Sequence, residues 1–389
     1  MTVKILHGPK SRNLQALGLC IGERMLGLDS HILNYGNLDY FEPEIIKSIQ
    51  KDLLIQLGFP SEWKRLSLRE KFFSLLKYPY RITMNLNMIK KIVDEFAVFN
   101  FYAGYSLIPV PLSIPYFHFL RYTDIKFLKN KGKKIFMHFQ GCDLRTKEDT
   151  LKDDNGISCC NDCKIANTYC SFGNIKKRKK ILFERILPYV DGIIVTTPDL
   201  KLIYPEAHVI PKPYIRSNLF NYKIKIFGND VKRGSLKIIH APSKPEIKGT
   251  KYIVEAINQL KSEGYKIELI LVQNMPRSKV FELANEADIA IDQLLVGWYG
   301  TFAVEMMSLG IPTLVYIDKR AEDVWPYMKP PVINCNIYNL KDSLKNLIEN
   351  KEILKEISQR EINFVKEVHD PKKLALEMIK IYKGVGLNV

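Results

Sequence analysis

A chain of 389 residues is more than twice the size of a domain of about 150 residues, which excludes one small module and points to two or three domains. Hydrophobic residues at 46%, aromatics at 11% and charged residues at 26% leave ample material for packed cores and exclude global disorder. The net charge of +16 resides in residues 1–250, with 40 basic and 23 acidic side chains, whereas residues 251–389 carry 18 and 19. Such asymmetry suits a first half that faces phosphates, an anionic membrane surface or an acidic substrate; heavy lysine usage throughout is the plain alternative.

The apolar run at residues 1–6 is interrupted by Lys4 and followed by Gly8 and Pro9, so it reads as a first strand and not as a secretory signal. The expectation is a cytoplasmic protein whose seven cysteines are thiols or metal ligands. A helix at 14–26 and a strand at 30–34 complete a βαβ beginning. Residues 43–95 read as mostly helical and basic, with Lys64, Arg65, Arg69, Lys71 and Lys77 interleaved with Trp63, Phe72, Phe73, Leu75 and Leu76. This is either a membrane-surface helix or a helix with a solvated basic face. Residues 96–120 are uncharged over a bilayer's width, but Asn100, Gly104, Pro109, Pro111 and Pro115 exclude a continuous spanning helix.

Strands follow at 97–101, 134–139, 192–196 and 208–210, with a helix at 175–187. A polar, lysine-containing segment after Pro211 and Pro213 is the expected linker, residues 214–235. A second α/β series then predicts strands at 236–240, 267–272, 289–292, 313–316 and 332–334, with helices at 250–263, 276–284, 301–309 and 340–349. The expected division is an N-terminal Rossmann-like domain over 1–213, the linker, and a C-terminal Rossmann-like domain over 236–389 whose last helix packs back on the first. Two doubly wound domains place a ligand at the carboxyl ends of their strands.

The chemistry-bearing residues cluster between His240 and Glu305. Lys248-Gly249-Thr250 ends a loop after a strand and opens a helix, offering backbone N–H groups and an ammonium to a phosphate. Gly297-Trp298-Tyr299-Gly300-Thr301 is a glycine-bearing turn into a second helix, and Glu305 lies one turn inside it, where a carboxylate can accept both hydrogens of a vicinal diol.

Together these motifs resemble the donor domain of the GT-B glycosyltransferases, particularly the retaining group-1 (family 4) enzymes. Glu305-Met306-Met307-Ser308-Leu309-Gly310-Ile311-Pro312 is similar to that family's Glu-Ala-Met-Ala-x-Gly-x-Pro. By position, the resemblance implies that Lys248 and Gly249 bind a donor diphosphate, Gly300 and Thr301 supply N–H groups, and Glu305 holds a ribose. Two positions depart from the pattern. Gly297 stands where the family has the glutamate that contacts the donor sugar, and Ser243 stands where it has an arginine, for which Lys244 is the nearest substitute. In the first half, His138-Phe139-Gln140-Gly141-Cys142-Asp143 resembles the family's His-x-x-Gly-x-Asp, whose histidine approaches the sugar. The resemblance thus implies a hexosyltransferase that uses a nucleotide diphosphate sugar, with His138 and Lys248 as catalytic residues. The acceptor is expected to be a glycan or a lipid-linked acceptor, met at an anionic membrane surface, as in polysaccharide biosynthesis.

Cys159, Cys160, Cys163 and Cys170 place four thiols within twelve residues, in an expected insertion at 153–174. Few aliphatic residues surround them, so a structural zinc or a sulfur crosslink is the expected source of order, with reduced thiols as the alternative. A catalytic metal is not expected, there being no Asp-x-Asp dyad in a suitable loop. Two rival functions stay open: a GT-B-fold sugar-nucleotide epimerase or hydrolase, and a zinc-stabilised nucleic-acid-binding protein using Lys176-Lys177-Arg178-Lys179-Lys180. The latter leaves residues 300–312 unexplained, so no nucleic-acid partner is expected.

Overall fold

The computed structural model describes residues 3–9, 14–35, 54–57, 78–108, 122–150, 156–164, 174–214, 224–225 and 235–389. Strands buried on both faces read as unbroken apolar runs, the mark of a parallel sheet covered by helices. Val98–Tyr102 is buried at every position and Lys134–Phe139 at all but its first. These two strands, β4 and β5, sit inside a seven-stranded parallel sheet with β1 (Lys4–His7), β2 (Asp29–Tyr35), β3 (Leu54–Leu57), β6 (Gly192–Val195) and β7 (His208–Val209). Its order is β3-β2-β1-β4-β5-β6-β7. The connecting helices are α1 (Gln15–Met25), α2 (Tyr78–Glu95), α3 (Thr123–Asn130), α4 (Asn174–Arg185) and α5 (Pro198–Ile203).

Strand β3 departs from the helical reading of residues 43–95. It pairs in parallel with β2, Ile32 opposite Leu54, and so adds its backbone groups to an otherwise open sheet edge. Helical periodicity in the surrounding sequence carries no signal of that edge. The basic and aromatic positions 63–77 lie outside the described residues.

A second parallel sheet takes the order β12-β11-β10-β8-β9, from β8 (Ser235–His240), β9 (Lys266–Leu271), β10 (Ile289–Ile291), β11 (Thr313–Val315) and β12 (Ile333–Asn334). Its helices are α6 (Pro245–Lys248), α7 (Thr250–Ser262), α8 (Arg277–Ala284), α9 (Thr301–Ser308), α10 (Lys319–Asp323), α11 (Leu340–Glu349), α12 (Ile353–Val368) and α13 (Pro371–Gly384). Helix α7 forms because Ile253, Ala256, Ile257 and Leu260 recur at helical spacing and are all buried. The direction in which successive strands are added reverses between β1 and β4 in the first sheet and between β8 and β10 in the second. Each reversal opens a crevice beyond the strands' carboxyl ends.

The last helix returns to the first sheet. Asp370 caps α13 by accepting the Lys373 N–H at 2.9 Å, and Pro371 occupies its first turn. Leu374, Met378 and Tyr382 then form a stripe against Ile5, Leu19, Val98, Phe136 and Ile194. Gly22 on α1 admits this crossover, since a Cβ there would lie 2.0 Å from the Pro371 carbonyl oxygen.

A buried polar network fastens the return. Glu23 accepts hydrogen bonds from Ser30 Oγ at 2.6 Å, His7 Nε2 at 2.8 Å and Tyr382 Oη at 3.0 Å. Asn100 Nδ2 donates to Tyr382 Oη at 2.7 Å, and Tyr102 Oη donates to His7 Nδ1 at 2.7 Å. Replacing Tyr382 by Phe orphans two buried partners, and we expect a loss of about 1–3 kcal/mol in urea denaturation. A change within the error of the measurement would exclude this network as the anchor of α13.

Candidate functional site

The second crevice lies between the loop that follows β8 and the loop that follows β10. After β8, Lys244 begins α6, and its carbonyl accepts the Ile247 and Lys248 N–H groups at 3.1 Å. Gly249, at φ 82°, turns the chain directly into α7. Lys248 is thereby set at the sheet's carboxyl end, and its Nζ lies 2.5 Å from Asp292 Oδ1. Asp292 is the residue after β10, only 1% exposed, and its other oxygen accepts the Gly300 N–H at 2.6 Å. One carboxylate therefore holds both the ammonium and the turn that opens α9.

That geometry explains glycine at position 300. A Cβ would stand 2.8 Å from Asp292 Oδ2 and 3.1 Å from Lys248 Nζ, so any side chain would fill the gap between the cation and the helix start. Gly300 is extended, and the following first-turn N–H groups of α9 have no carbonyl partner within the helix. The backbone of the two loops is joined by the Leu294 N–H donating to the Lys248 carbonyl at 3.1 Å. His240, at the end of β8, donates from Nδ1 to the Ile291 carbonyl at 2.7 Å and accepts from Thr250 Oγ1 at 2.9 Å. Burial pushes its pKa down to about 4, so the ring is neutral and serves as a spacer between β8, β10 and α7.

Glu305 lies on α9 one turn beyond Gly300, its side chain 12% exposed, paired with Arg277 of α8 at 2.8 Å. The Arg277 guanidinium in turn lies 5.1 Å from the Phe281 ring centre. Lys244 is exposed. Lys212, between β7 and the segment leading to the second sheet, brings its Nζ to 3.2 Å from Thr301 Oγ1. The structure places Lys248, Gly249, Gly300 and Thr301 together at the start of α9, with Glu305 one turn further along that helix. It adds Asp292, Arg277 and Lys212, which sequence reasoning missed. An acidic residue directly after the apolar strand run Ile289–Ile291 is a signal that could have revealed Asp292. No sequence spacing links Lys212 to Thr301.

His138 lies near the end of β5, 1% exposed. Its Nε2–H donates to Asn100 Oδ1 at 3.0 Å, its ring stacks on Tyr102 at 4.4 Å, and Nδ1 has no partner. Burial, with the nearby His7 adding to it, holds the ring neutral. The Gly141–Asp143 turn follows, with Asp143 Oδ2 accepting the Gln140 N–H at 3.2 Å.

The described part of the cysteine segment, residues 156–164, packs against the second half. Ile157, Cys159 and Cys160 pack against Leu295 and Tyr316 of the second half, so the aliphatic surface the segment lacks is supplied by its neighbour. Asp162 adds an ion pair with Lys251 at 2.9 Å. Cys159 accepts from Arg145 Nη2 at 3.8 Å, and Cys160 donates to Thr150 Oγ1 at 3.3 Å. A hydrogen bond from Cys159, with Thr150 and Arg145 adding to it, pulls the Cys160 thiol down to about 6. Among the described residues no three His, Cys, Asp or Glu side chains gather to hold a metal ion. Cys170 lies outside the described residues. Nor does any described helix have the length and apolarity to cross a membrane.

No protein-family model matches the chain, and no curated protein matches it by sequence. Solved structures do match. A glycosyltransferase from Rickettsia africae ESF-5 aligns over 100% of both chains with a TM-score of 0.61 at 13% identity. Sucrose-phosphate synthase from Thermosynechococcus elongatus aligns over 99% of both with a TM-score of 0.59 at 11% identity. Anabaena HepE, solved in complex with UDP, aligns over 99% of this chain and 100% of its own, with a TM-score of 0.55 at 9% identity. The chain has the GT-B fold, two parallel α/β sheets with their covering helices.

Proposed function

We propose that the chain is a glycosyltransferase that binds a nucleotide diphosphate sugar at the crevice of its second sheet. The observation that carries this reading is the Lys248–Asp292–Gly300 constellation at the start of α9. A cation, a side-chain-free gap and a helix N-terminus converge there, as binding of a diphosphate requires. The UDP and UDP-glucose complexes of Anabaena HepE support a nucleotide sugar as the donor class.

In this reading Lys248 neutralises the charge that grows on the diphosphate as the sugar leaves, and Thr301 offers a first-turn backbone N–H group beside Gly249 and Gly300, whose own N–H groups are held by the Pro245 carbonyl and Asp292. Lys244 remains near the loop as an exposed point charge. Glu305 accepts the ribose hydroxyls, and Arg277 holds its carboxylate in place. His138, neutral and with Nδ1 unpartnered, is the first-half group assigned to the reacting sugar. Hexosyl transfer proceeds with retention, needs no protein nucleophile, and lets the leaving diphosphate take the acceptor proton. The acceptor is a glycan or lipid-linked sugar, and the basic excess of residues 1–250 suits its delivery from an anionic membrane surface.

Calorimetric titration with UDP-, GDP- and ADP-sugars tests the donor. Product analysis with and without acceptor separates transfer from epimerisation or hydrolysis. Glu305→Ala breaks the partly buried ion pair with Arg277 and so costs some stability, but the folded protein should lose about 2–4 kcal/mol of donor binding. A folded Glu305→Ala protein with undiminished donor affinity would remove Glu305 from the site.

A further inference from the structure

Lys212 is a half-buried lysine whose ammonium lies against a helix N-terminus, where a cation is costly. Its Nζ donates to Thr301 Oγ1, and among the described residues no carboxylate forms an ion pair with it. Its backbone is held from both sides. Pro211 and Pro213 flank it, its carbonyl accepts His369 Nδ1–H at 2.8 Å, and the Tyr214 N–H donates to the His369 carbonyl at 2.8 Å. His369 Nε2 in turn accepts from Tyr299 Oη at 3.1 Å, so the residue before Gly300 takes part in fixing Lys212. The side chain therefore projects from the end of the first sheet onto the first turn of α9, beside Lys248 from the second. Two cations of independent origin meet at one helix N-terminus, with the buried Asp292 already engaged by Lys248 and Gly300.

We propose that Lys212 is a further binding residue for the donor diphosphate, so that the leaving group is gripped by one lysine from each half of the molecule. This inference rests on the donor reading above and deepens it. Like charges at close range oppose each other, and a helix N-terminus opposes both; a bound polyanion removes all of these costs at once. Burial, with the charge of Lys248 adding to it, pushes the Lys212 ammonium down to about 8. It faces Lys248 of α6, Asp292 after β10, Glu305 of α9, Asp143 after β5, and the neutral His369 ring between α12 and α13. Because Lys212 precedes the crossing to the second half, its grip also makes diphosphate binding sensitive to how the two halves are set against each other.

The test compares wild-type protein, Lys212→Met and Lys212→Arg by calorimetry with UDP, GDP and ADP and the corresponding monophosphates, at pH 7 and pH 9. Wild type should prefer the diphosphate, and its affinity should fall about tenfold at pH 9, because the proton is then missing from the free protein. Lys212→Met should lose at least tenfold in diphosphate affinity at pH 7 and much less in monophosphate affinity. Lys212→Arg should retain binding and lose the fall between pH 7 and pH 9, a result that does not depend on whether the methionine variant folds. Wild-type preference for the diphosphate in a folded Lys212→Met protein, or an unchanged fall in Lys212→Arg, would overturn the assignment and leave the donor site standing. Failure of the wild-type protein to bind any of the three diphosphates would overturn both.

Discussion

Lys248→Met should abolish measurable nucleoside diphosphate binding and also destabilise the protein, two losses that come from one ion pair. The Lys248 side chain is 15% exposed and its partner Asp292 is 1% exposed, so the variant leaves a carboxylate out of water with only the Gly300 N–H to support it. Removing one partner of a buried pair costs about 3–5 kcal/mol. Loss of a charge-assisted hydrogen bond to the diphosphate costs about 1.5–3 kcal/mol more in binding, on the order of a hundredfold at the upper end. Asp292→Asn separates the two effects. It relieves the stranded charge and keeps a side-chain oxygen for the Gly300 N–H, so Lys248→Met combined with Asp292→Asn should regain much of its stability in urea denaturation. It should still fail to bind nucleotide. Nucleotide affinity restored by the second substitution would show that Lys248 acts only by balancing Asp292.

The second large effect is a loss of stability in acid that traces to His240 and His369. Both rings are fully buried and held down to about 4, His240 chiefly by desolvation with the Ile291 hydrogen bond opposing, and His369 likewise with the Lys212 carbonyl opposing. An unfolded chain protonates these rings near pH 6.5 and the folded chain does not, so the unfolded state binds more protons and stability falls with pH through this window. Each ring contributes roughly 3 kcal/mol between pH 6.5 and pH 4. Asp124 works against them: burial raises its carboxyl to about 6, the folded state takes up a proton first, and stability from this group is lost as pH rises through 6. Buried Glu361 shifts in the same direction as Asp124. The net curve is a partial cancellation, and the diagnostic is therefore a difference. In urea titrations at pH 6.5, 5.5 and 4.5, His240→Gln should shed less stability than wild type on acidification, by about 1.4 kcal/mol per pH unit. Parallel curves for the two proteins would show that the ring is charged in the folded state.

Much of this protein was legible in its sequence, because its strands and the first helix turns carry local signals. Runs such as Ile289–Ile291 and Thr313–Val315 are buried on both faces and so are apolar throughout, which reveals a parallel sheet without any knowledge of its partners. Lys248-Gly249-Thr250 and Gly300-Thr301 were legible for a similar reason: each opens a helix after a strand, and the glycine at that turn is visible in the chain. What tertiary structure alone decided are the pairings across long sequence distances. Leu54–Leu57 is a strand because β2 offers it an edge. Ile157, Cys159 and Cys160 are buried because Leu295 and Tyr316 cover them, an apolar surface more than 130 residues away in the chain. Asp292 meets Lys248, and Lys212 meets Thr301, only after two sheets have set the ends of their strands against one another. Local periodicity reports which face of an element is buried; which charges then face each other is a property of the packed molecule.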